Sequence, residues 1–472
     1  MTALLHRSPS SRRLAAAREV TKAGVAHRAL RVIAAPFLSL FLACSGAGTD
    51  VVPIASFSIA TTTTTVPIGD VRQLDAKALD AGGNVVDGRV VTWSSSNINL
   101  AAVSSTGRVS TKAPGTVTIT ATSDGWSDTV ALKVVTFSGG VQNIYPGNLY
   151  TCALNQRGRA SCWGNNEFGN LGDGTHKNTL SPVLVSQAPN FSTLALGDRF
   201  ACGLSVGGAA FCWGYNEAGQ LGDATTTERP KAAPVVGGYV FTAIAAGASH
   251  VCGLSGGAAY CWGHNYYGAL GDGTTADSPS PVPVQGGLSF TSITAAIDYS
   301  CGLATDGKAY CWGKNFNGEL GSGTTTDRNI PTLAAGGGTF RSISSSDKHT
   351  CGLTAVGAIR CWGGNIDTPP SGDRVFASIS VGGLSSCLLD SDGLAFCWGH
   401  GDAGVLGQGA STGDSKAPIA VHGGLVFSQV VAGTSQNCGV TAIGAAYCWG
   451  MGGLIGDGTS TMRALPTLVA VP

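Results

Sequence analysis

Charge is scarce in this sequence. Only 12% of its 472 residues are Asp, Glu, Lys or Arg, and 28 bases balance 28 acids. No basic stripe runs through it, which argues against a nucleic-acid partner. Helical periodicity is absent from residue 138 onward. The signatures of metal and catalytic chemistry are missing too. The 15 cysteines form no CxxC knuckle, and the eight histidines form no HxxxH or HxH pair, so zinc is not expected. No GxSxG joins a strand to a helix, and the Gly-rich loops lack the Lys and following helix of a phosphate loop. The apolar run at 32–43 has 12 residues, short of the roughly 20 a spanning helix needs. These absences leave no expected cofactor, no metal and no catalytic constellation. They point to a non-enzymatic protein.

What is present is glycine, 70 residues of it, and repetition. Cys-Trp-Gly triplets start at Cys162, Cys212, Cys261, Cys311, Cys361, Cys397 and Cys448, in steps of 50, 49, 50, 50, 36 and 51. A sustained period near 50 means one supersecondary unit per repeat. Within a unit the segments are short, β-branched or aromatic, and bounded by Gly, Pro, Asn and Ser, as at Phe241, Val251, Ala259 and Pro281. Four short strands per unit describe the blade of a β-propeller.

Each triplet cysteine follows a partner with nine residues between, or eight in the third unit. The intervening turn places Gly third, as at Gly158, Gly307, Gly357 and Gly393, or shrinks to Gly256-Gly257. Both are hairpin turns that need φ > 0 at glycine. Either spacing sets the two cysteines opposite each other, with Cα atoms about 4.5–5.5 Å apart and within disulfide reach. The spacing predicts seven disulfides: Cys152–Cys162, Cys202–Cys212, Cys252–Cys261, Cys301–Cys311, Cys351–Cys361, Cys387–Cys397 and Cys438–Cys448.

The loops WGNNEFGNLGDG (163–174), WGYNEAGQLGDA (213–224), WGHNYYGALGDG (262–273) and WGKNFNGELGSG (312–323) resemble the regulator of chromosome condensation repeat, as do SHVCGL at 249 and KHTCGL at 348. The resemblance covers the chain from 138 to 472 and implies a seven-bladed propeller. Three copies depart from it. The loop after Trp362 is lost, that after Trp398 lacks the Asn, and that after Trp449 is two residues short. One sector of the loop face is therefore expected to differ. The guanine-nucleotide exchange activity of the family's nuclear member is not carried over to a chain that reads as exported.

Residues 51–137 have a separate pattern: period-2 strands, no cysteine, and the set VTWSSSN, TGRVST and APGTVTITATSDG. This closely resembles the bacterial Ig-like (group 2) domain and implies a β-sandwich, with Trp93 as its expected anchor. The fold expected is all-β: an Ig-like sandwich followed by a seven-bladed propeller.

The N-terminus reads as an export signal. Residues 1–31 hold seven Lys/Arg and one acid, the apolar run 32–43 follows, and then Cys44-Ser45-Gly46. Phe41-Leu42-Ala43-Cys44 resembles a bacterial lipobox with Phe in place of the usual Leu. Fourteen paired cysteines leave Cys44 over, and lipidation gives it a role. The domains expected are a signal peptide (1–43), a tether (44–50), the sandwich (51–137) and the propeller (138–472). Removing the signal takes seven bases and one acid, leaving 21 against 27 and a charge near −6. The expected location is the cell envelope, on an outer membrane or surface, or secreted if Cys44 carries no lipid.

Within the repeats, Asp173, Asp223 and Asp272 read as turn-closing residues. Trp163 and its equivalents read as packing between blades, and Asn166, Asn216, Asn265 and Asn315 as binding nearby backbone. Aromatics at varying repeat positions, Phe168, Tyr215, Tyr266, Tyr267 and Phe316, lie in loops that a propeller aligns on one face. They are the candidate binding face for a protein partner. A glycan is the alternative ligand, either bound or processed by loop acids such as Glu167, Glu217 and Glu319. Secreted propellers that inhibit extracellular enzymes are a further model.

Overall fold

The alternation seen in residues 51–137 becomes nine strands. They are β1 (Ser56–Ala60), β2 (Thr65–Pro67), β3 (Val71–Gln73), β4 (Asp75–Leu79), β5 (Thr92–Ser95), β6 (Ala101–Val103), β7 (Arg108–Thr111), β8 (Gly115–Ser123) and β9 (Trp126–Val135). In the computed structural model, residues 52–60, 64–136, 140–334, 338–364, 374–409 and 413–470 are described. Cys44, the signal, the tether and part of the threonine run lie outside them. One sheet has the order β2-β9-β8-β5, a second β3-β7-β6, and β1 pairs with β4. The period-2 pattern sends alternate residues inward. Val117, Ile119, Ala121, Val130, Leu132 and Val134 of β8 and β9 meet Phe57, Ile59, Leu74 and Val109 in one core. Trp93 is half-buried at the edge of that core rather than its anchor.

Beyond residue 140 the chain forms seven consecutive sheets. Blade 1 consists of β10 (Val141–Pro146), β11 (Tyr150–Asn155), β12 (Ala160–Gly164) and β13 (Thr179–Leu184), paired in that order. Blades 2 to 7 occupy 191–234, 243–283, 290–333, 340–362, 376–420 and 427–468. Blade 5 has three strands among the described residues where every other blade has four, and residues 365–373, where the loop after Trp362 was expected to be lost, lie outside the described residues. The sole helical element among the described residues is a 3-10 turn at Asp402–Gly404.

A meander puts its connections on alternate sides. In each four-stranded blade, the first turn and the long Gly-rich loop share one side, here the loop side. The short hairpin and the connection to the next blade share the other, the hairpin side. Loop-side first turns from all seven blades line a central cavity of about 290 Å3, through Gly147, Gly197, Gly247, Ala296, Ser346, Gly382 and Gly433. Every blade is built from one contiguous stretch, so the ring closes without strands exchanged between its ends. Closure rests on side chains and on backbone bonds, among them Val141 N to Gly444 O at 2.8 Å. Thr151 Oγ1 and the Trp163 indole N–H both donate to Leu454 O, at 3.0 and 2.9 Å, and Gln436 Nε2 donates to Gly147 O at 3.1 Å.

All seven expected disulfides are present, each between residues in direct register on the second and third strands of a blade. Their Cα atoms are 4.0–4.1 Å apart, closer than the expected spacing because the bridge draws the opposed pair together. The bridges lie in the layer between blades. Between blades 1 and 2, Cys152, Cys162, Leu154 and Leu171 pack against Phe191, Leu194 and Trp213.

Candidate functional site

The loop side is assembled from a repeated clamp. Asn265 is fully buried. Its Nδ2 donates to Ala276 O at 3.0 Å and Asp272 Oδ1 at 3.2 Å, while its Oδ1 accepts the Leu270 amide at 2.9 Å. Asn166 and Asn216 do the same in their loops, and Asn315 does so with Ser322 in place of the Asp. Asp173, Asp223 and Asp272 each accept the amide of the Thr two residues on, so they close turns. A latch then joins loop to blade. The indole N–H of five repeat tryptophans donates to a loop carbonyl of the preceding blade: Trp213 to Asn170 O, Trp262 to Gln220 O, Trp312 to Ala269 O, Trp449 to Val405 O and Trp163 to Leu454 O. Glycine is required where these meet, since a Cβ on Gly271 would sit 2.7 Å from the Trp312 Nε1. The loop face is therefore rigid backbone carrying variable side chains.

The candidate aromatics occupy the outward positions of those loops in blades 1 to 4, and the ring packing brings them together in two groups. Phe168 of blade 1 meets Tyr215 of blade 2 edge-on, with centroids 5.1 Å apart, and the Arg199 guanidinium lies 4.9 Å over Phe168. Tyr266 and Tyr267 of blade 3 pack at 4.8 Å, and Tyr267 meets Phe316 of blade 4 at 5.4 Å. Lys314 Nζ lies 5.3 Å over Tyr267 and 3.4 Å from Asp298 Oδ2. Tyr266 is 67% exposed and Phe316 57%, whereas Phe168, Tyr215 and Tyr267 are half-buried by their neighbours. The rings thus form an arc over blades 1 to 4, not a full circle.

Arg199, Lys314, His264 and Asp298 belong to this arc and were not singled out in the sequence. Their signal was position: Lys314 and His264 follow the Trp-Gly pair as Tyr215 does, and Arg199 and Asp298 share one place in the first turn. Tyr215 donates its hydroxyl to Glu217, and that carboxylate holds the phenol above its usual range. Burial pushes the Asp198 carboxyl upward, and the Asp298 and Asp347 charges add to this against a hydrogen bond from Asn148 and the Arg199 charge.

Two of the three acids weighed for hydrolysis are otherwise engaged. Glu217 accepts from Tyr215. Glu319 is buried and accepts from Asn317 N at 2.7 Å and Asn317 Nδ2 at 2.9 Å. Glu167 stands exposed on its loop. Among the described residues no group of three His, Cys, Asp or Glu is arranged to hold a metal. No described helix is long and apolar enough to cross a membrane. Beside blade 5 a cleft of about 790 Å3 opens on the loop side, lined by Phe316, Lys348, Leu384, Trp398 and His400 among others. The arc ends at this cleft.

Comparison with known proteins follows the same division. Residues 157–204, 207–254, 256–303 and 306–353 match the model of the regulator of chromosome condensation (RCC1) repeat, and a second model of that repeat matches 191–220, 290–319 and 340–367. Residues 53–134 match the bacterial Ig-like domain (group 2). No curated protein sequence matches the chain. Among solved structures, yeast RCC1 (Prp20) bound to Kap60 aligns with a TM-score of 0.57 at 20% identity, over 66% of this chain and 83% of that one. Prp20p from Saccharomyces cerevisiae, in a study of its binding to Gsp1p and histones, aligns with a TM-score of 0.57 at 21% identity, over 70% of this chain and 88% of that one. These likenesses establish the fold.

Proposed function

We propose, for a chain that carries RCC1 repeats on a propeller and a bacterial Ig-like domain ahead of it, an exported, lipid-anchored envelope protein that binds a protein partner and catalyses no reaction. The observation that carries the reading is the arc of Phe168, Tyr215, Tyr266, Tyr267 and Phe316 with Arg199 and Lys314. Exposed aromatics beside cations, on a rigid frame, match the composition of protein-binding hot spots. The rings meet edge-on rather than as a flat platform, which favours an irregular protein surface over a sugar face. The yeast propeller solved with Kap60 provides a precedent for a protein partner on this fold. Seven disulfides suit an oxidising compartment, and the lipobox-like segment at Cys44 would supply the anchor.

The test is capture from an envelope extract by the oxidised mature chain. A protein retained by the wild type and lost with Tyr266→Ser and Phe316→Ser supports the reading; both side chains are exposed, so the fold should stand. Retention of a glycan from an oligosaccharide array, with no protein captured, would sink it. Fatty-acid labelling that disappears in Cys44→Ser tests the anchor.

A further inference from the structure

The hairpin side of blade 7 is occupied by the chain's own sandwich. Strand β3 lies along the connection entering that blade: Gln73 N donates to Gly424 O at 2.8 Å, and Arg72 and Leu425 form an antiparallel bridge. Tyr447 of blade 7 donates its hydroxyl to Asp70 Oδ2 at 2.9 Å. The Arg72 guanidinium bears on both of these groups. Asp70 is 2% exposed, Arg72 1%, Tyr447 0% and Leu425 3%. Gly69 approaches Ile443 so closely that a Cβ would be 3.3 Å from its Cγ2.

Undocking would return Asp70 and Arg72 to water, so their mutual attraction adds little net affinity. Their effect is on register. Any other docking angle would bury one charge without the other or without Tyr447, and that is strongly unfavourable. The apolar contacts of Leu425 and Ile443 and the backbone bond of Gln73 supply attraction. Five residues separate β9 from the first strand of blade 1, a reach of about 20 Å at full extension, so the sandwich stays at high effective concentration beside its seat.

The repeat contains its own controls. The connections Gly237-Gly238-Tyr239 and Gly286-Gly287-Leu288 match Gly423-Gly424-Leu425, and Tyr260 and Tyr310 match Tyr447. The second glycines share a left-handed backbone, φ +66° at Gly238, +62° at Gly287 and +55° at Gly424. A Cβ would meet nothing within 4 Å at Gly238 or Gly287, but at Gly424 it would lie 2.2 Å from Gln73 O.

We propose that the Ig-like domain is a fixed brace rather than a swinging stalk: Asp70, Arg72 and Tyr447 set its register on blade 7, and sandwich and propeller behave as one cooperative body. The loop side is left open while part of the hairpin side is covered. This stands whether or not the arc binds a protein.

Hydrogen exchange and calorimetry on the oxidised chain test it. The Gln73 amide, whose acceptor is Gly424 O across the boundary, should exchange as slowly as amides in the blades, with one melting transition for the whole molecule. Gly424→Ala should speed exchange at Gln73 by roughly tenfold or more and split the melt in two. Gly287→Ala, equally strained but undocked, should do neither. Should Gly424→Ala fail to fold, Tyr447→Phe against Tyr310→Phe gives the same contrast, with faster Gln73 exchange in the first alone. Free exchange at Gln73 in the wild type, or equal behaviour of Gly424→Ala and Gly287→Ala, overturns the proposal.

Discussion

At the scale of single residues, one repeat position shows how environment alters chemistry. The residue two before the first cysteine of each blade is buried, and it is Tyr150, Phe200, His250, Tyr299, His349, Ser385 or Gln436. Burial drives the His250 imidazole down to about 3, with the His264 charge adding to it, and His349 down to about 4. Ser300 donates to Ala269 O, so His250 Nε2 carries the proton it gives to Ser300 Oγ at 2.8 Å. The folded state binds a proton at His250 more weakly than the unfolded state does. Stability from this group is therefore complete above pH 6.5 and falls as pH drops from there toward 3. Its loss at pH 5 amounts to about 2 kcal/mol. His250→Phe, copying blade 2, should reduce the fall in stability between pH 7 and pH 5 by about that amount, read from urea midpoints. An unchanged acid slope would show that His250 stays accessible to protons. In the sequence this histidine was only one of eight; its burial follows from blade stacking, which no local pattern records.

At the scale of the element, the Trp-to-loop latch distinguishes strong from weak junctions. Trp312 donates to Ala269 O at 2.8 Å, whereas the buried indole N–H of Trp362, one blade on, has no acceptor. A satisfied buried bond of this kind contributes about 1 kcal/mol, and Ala269 O keeps the Ser300 hydroxyl as a second donor. Trp312→Phe should therefore destabilise by about 1 kcal/mol more than Trp362→Phe, in which only ring area is lost. Equal losses in equilibrium unfolding would mean that the latch is packing alone. The tryptophans could be read from the sequence as inter-blade residues because they recur beside the cysteines. Which of them finds a carbonyl could not, since that depends on the loop of a neighbour about 42 to 44 positions away, or 291 at the ring closure.

For the whole molecule, stability is shared among seven closed hairpins and one ring. Each disulfide closes a loop of about ten residues and contributes roughly 2–3 kcal/mol on the chain-entropy view. Thirteen of the fourteen bridged cysteines are fully buried, and Cys361 of the reduced blade is half-buried. Thiolate attack needs access to sulfur. With reductant in the absence of denaturant, Cys351–Cys361 should open first, read by alkylation and peptide mass. Simultaneous loss of all seven bridges would show instead that reduction waits on global unfolding.

The sequence alone determined the strand count of most blades, the hairpin types, the seven bridges and the sandwich, because each is encoded within about a dozen residues: turn glycines, alternating side chains and a fixed cysteine spacing. The loop expected to be lost after Trp362 lies outside the described residues. Tertiary structure decided the rest. Ring curvature set Phe168 against Tyr215 and Tyr267 against Phe316. The bond from Tyr447 to Asp70 spans 377 positions, and the closure from Thr151 to Leu454 spans 303. Such contacts depend on angles summed over whole blades, so their partners have no shared local pattern from which they could be read.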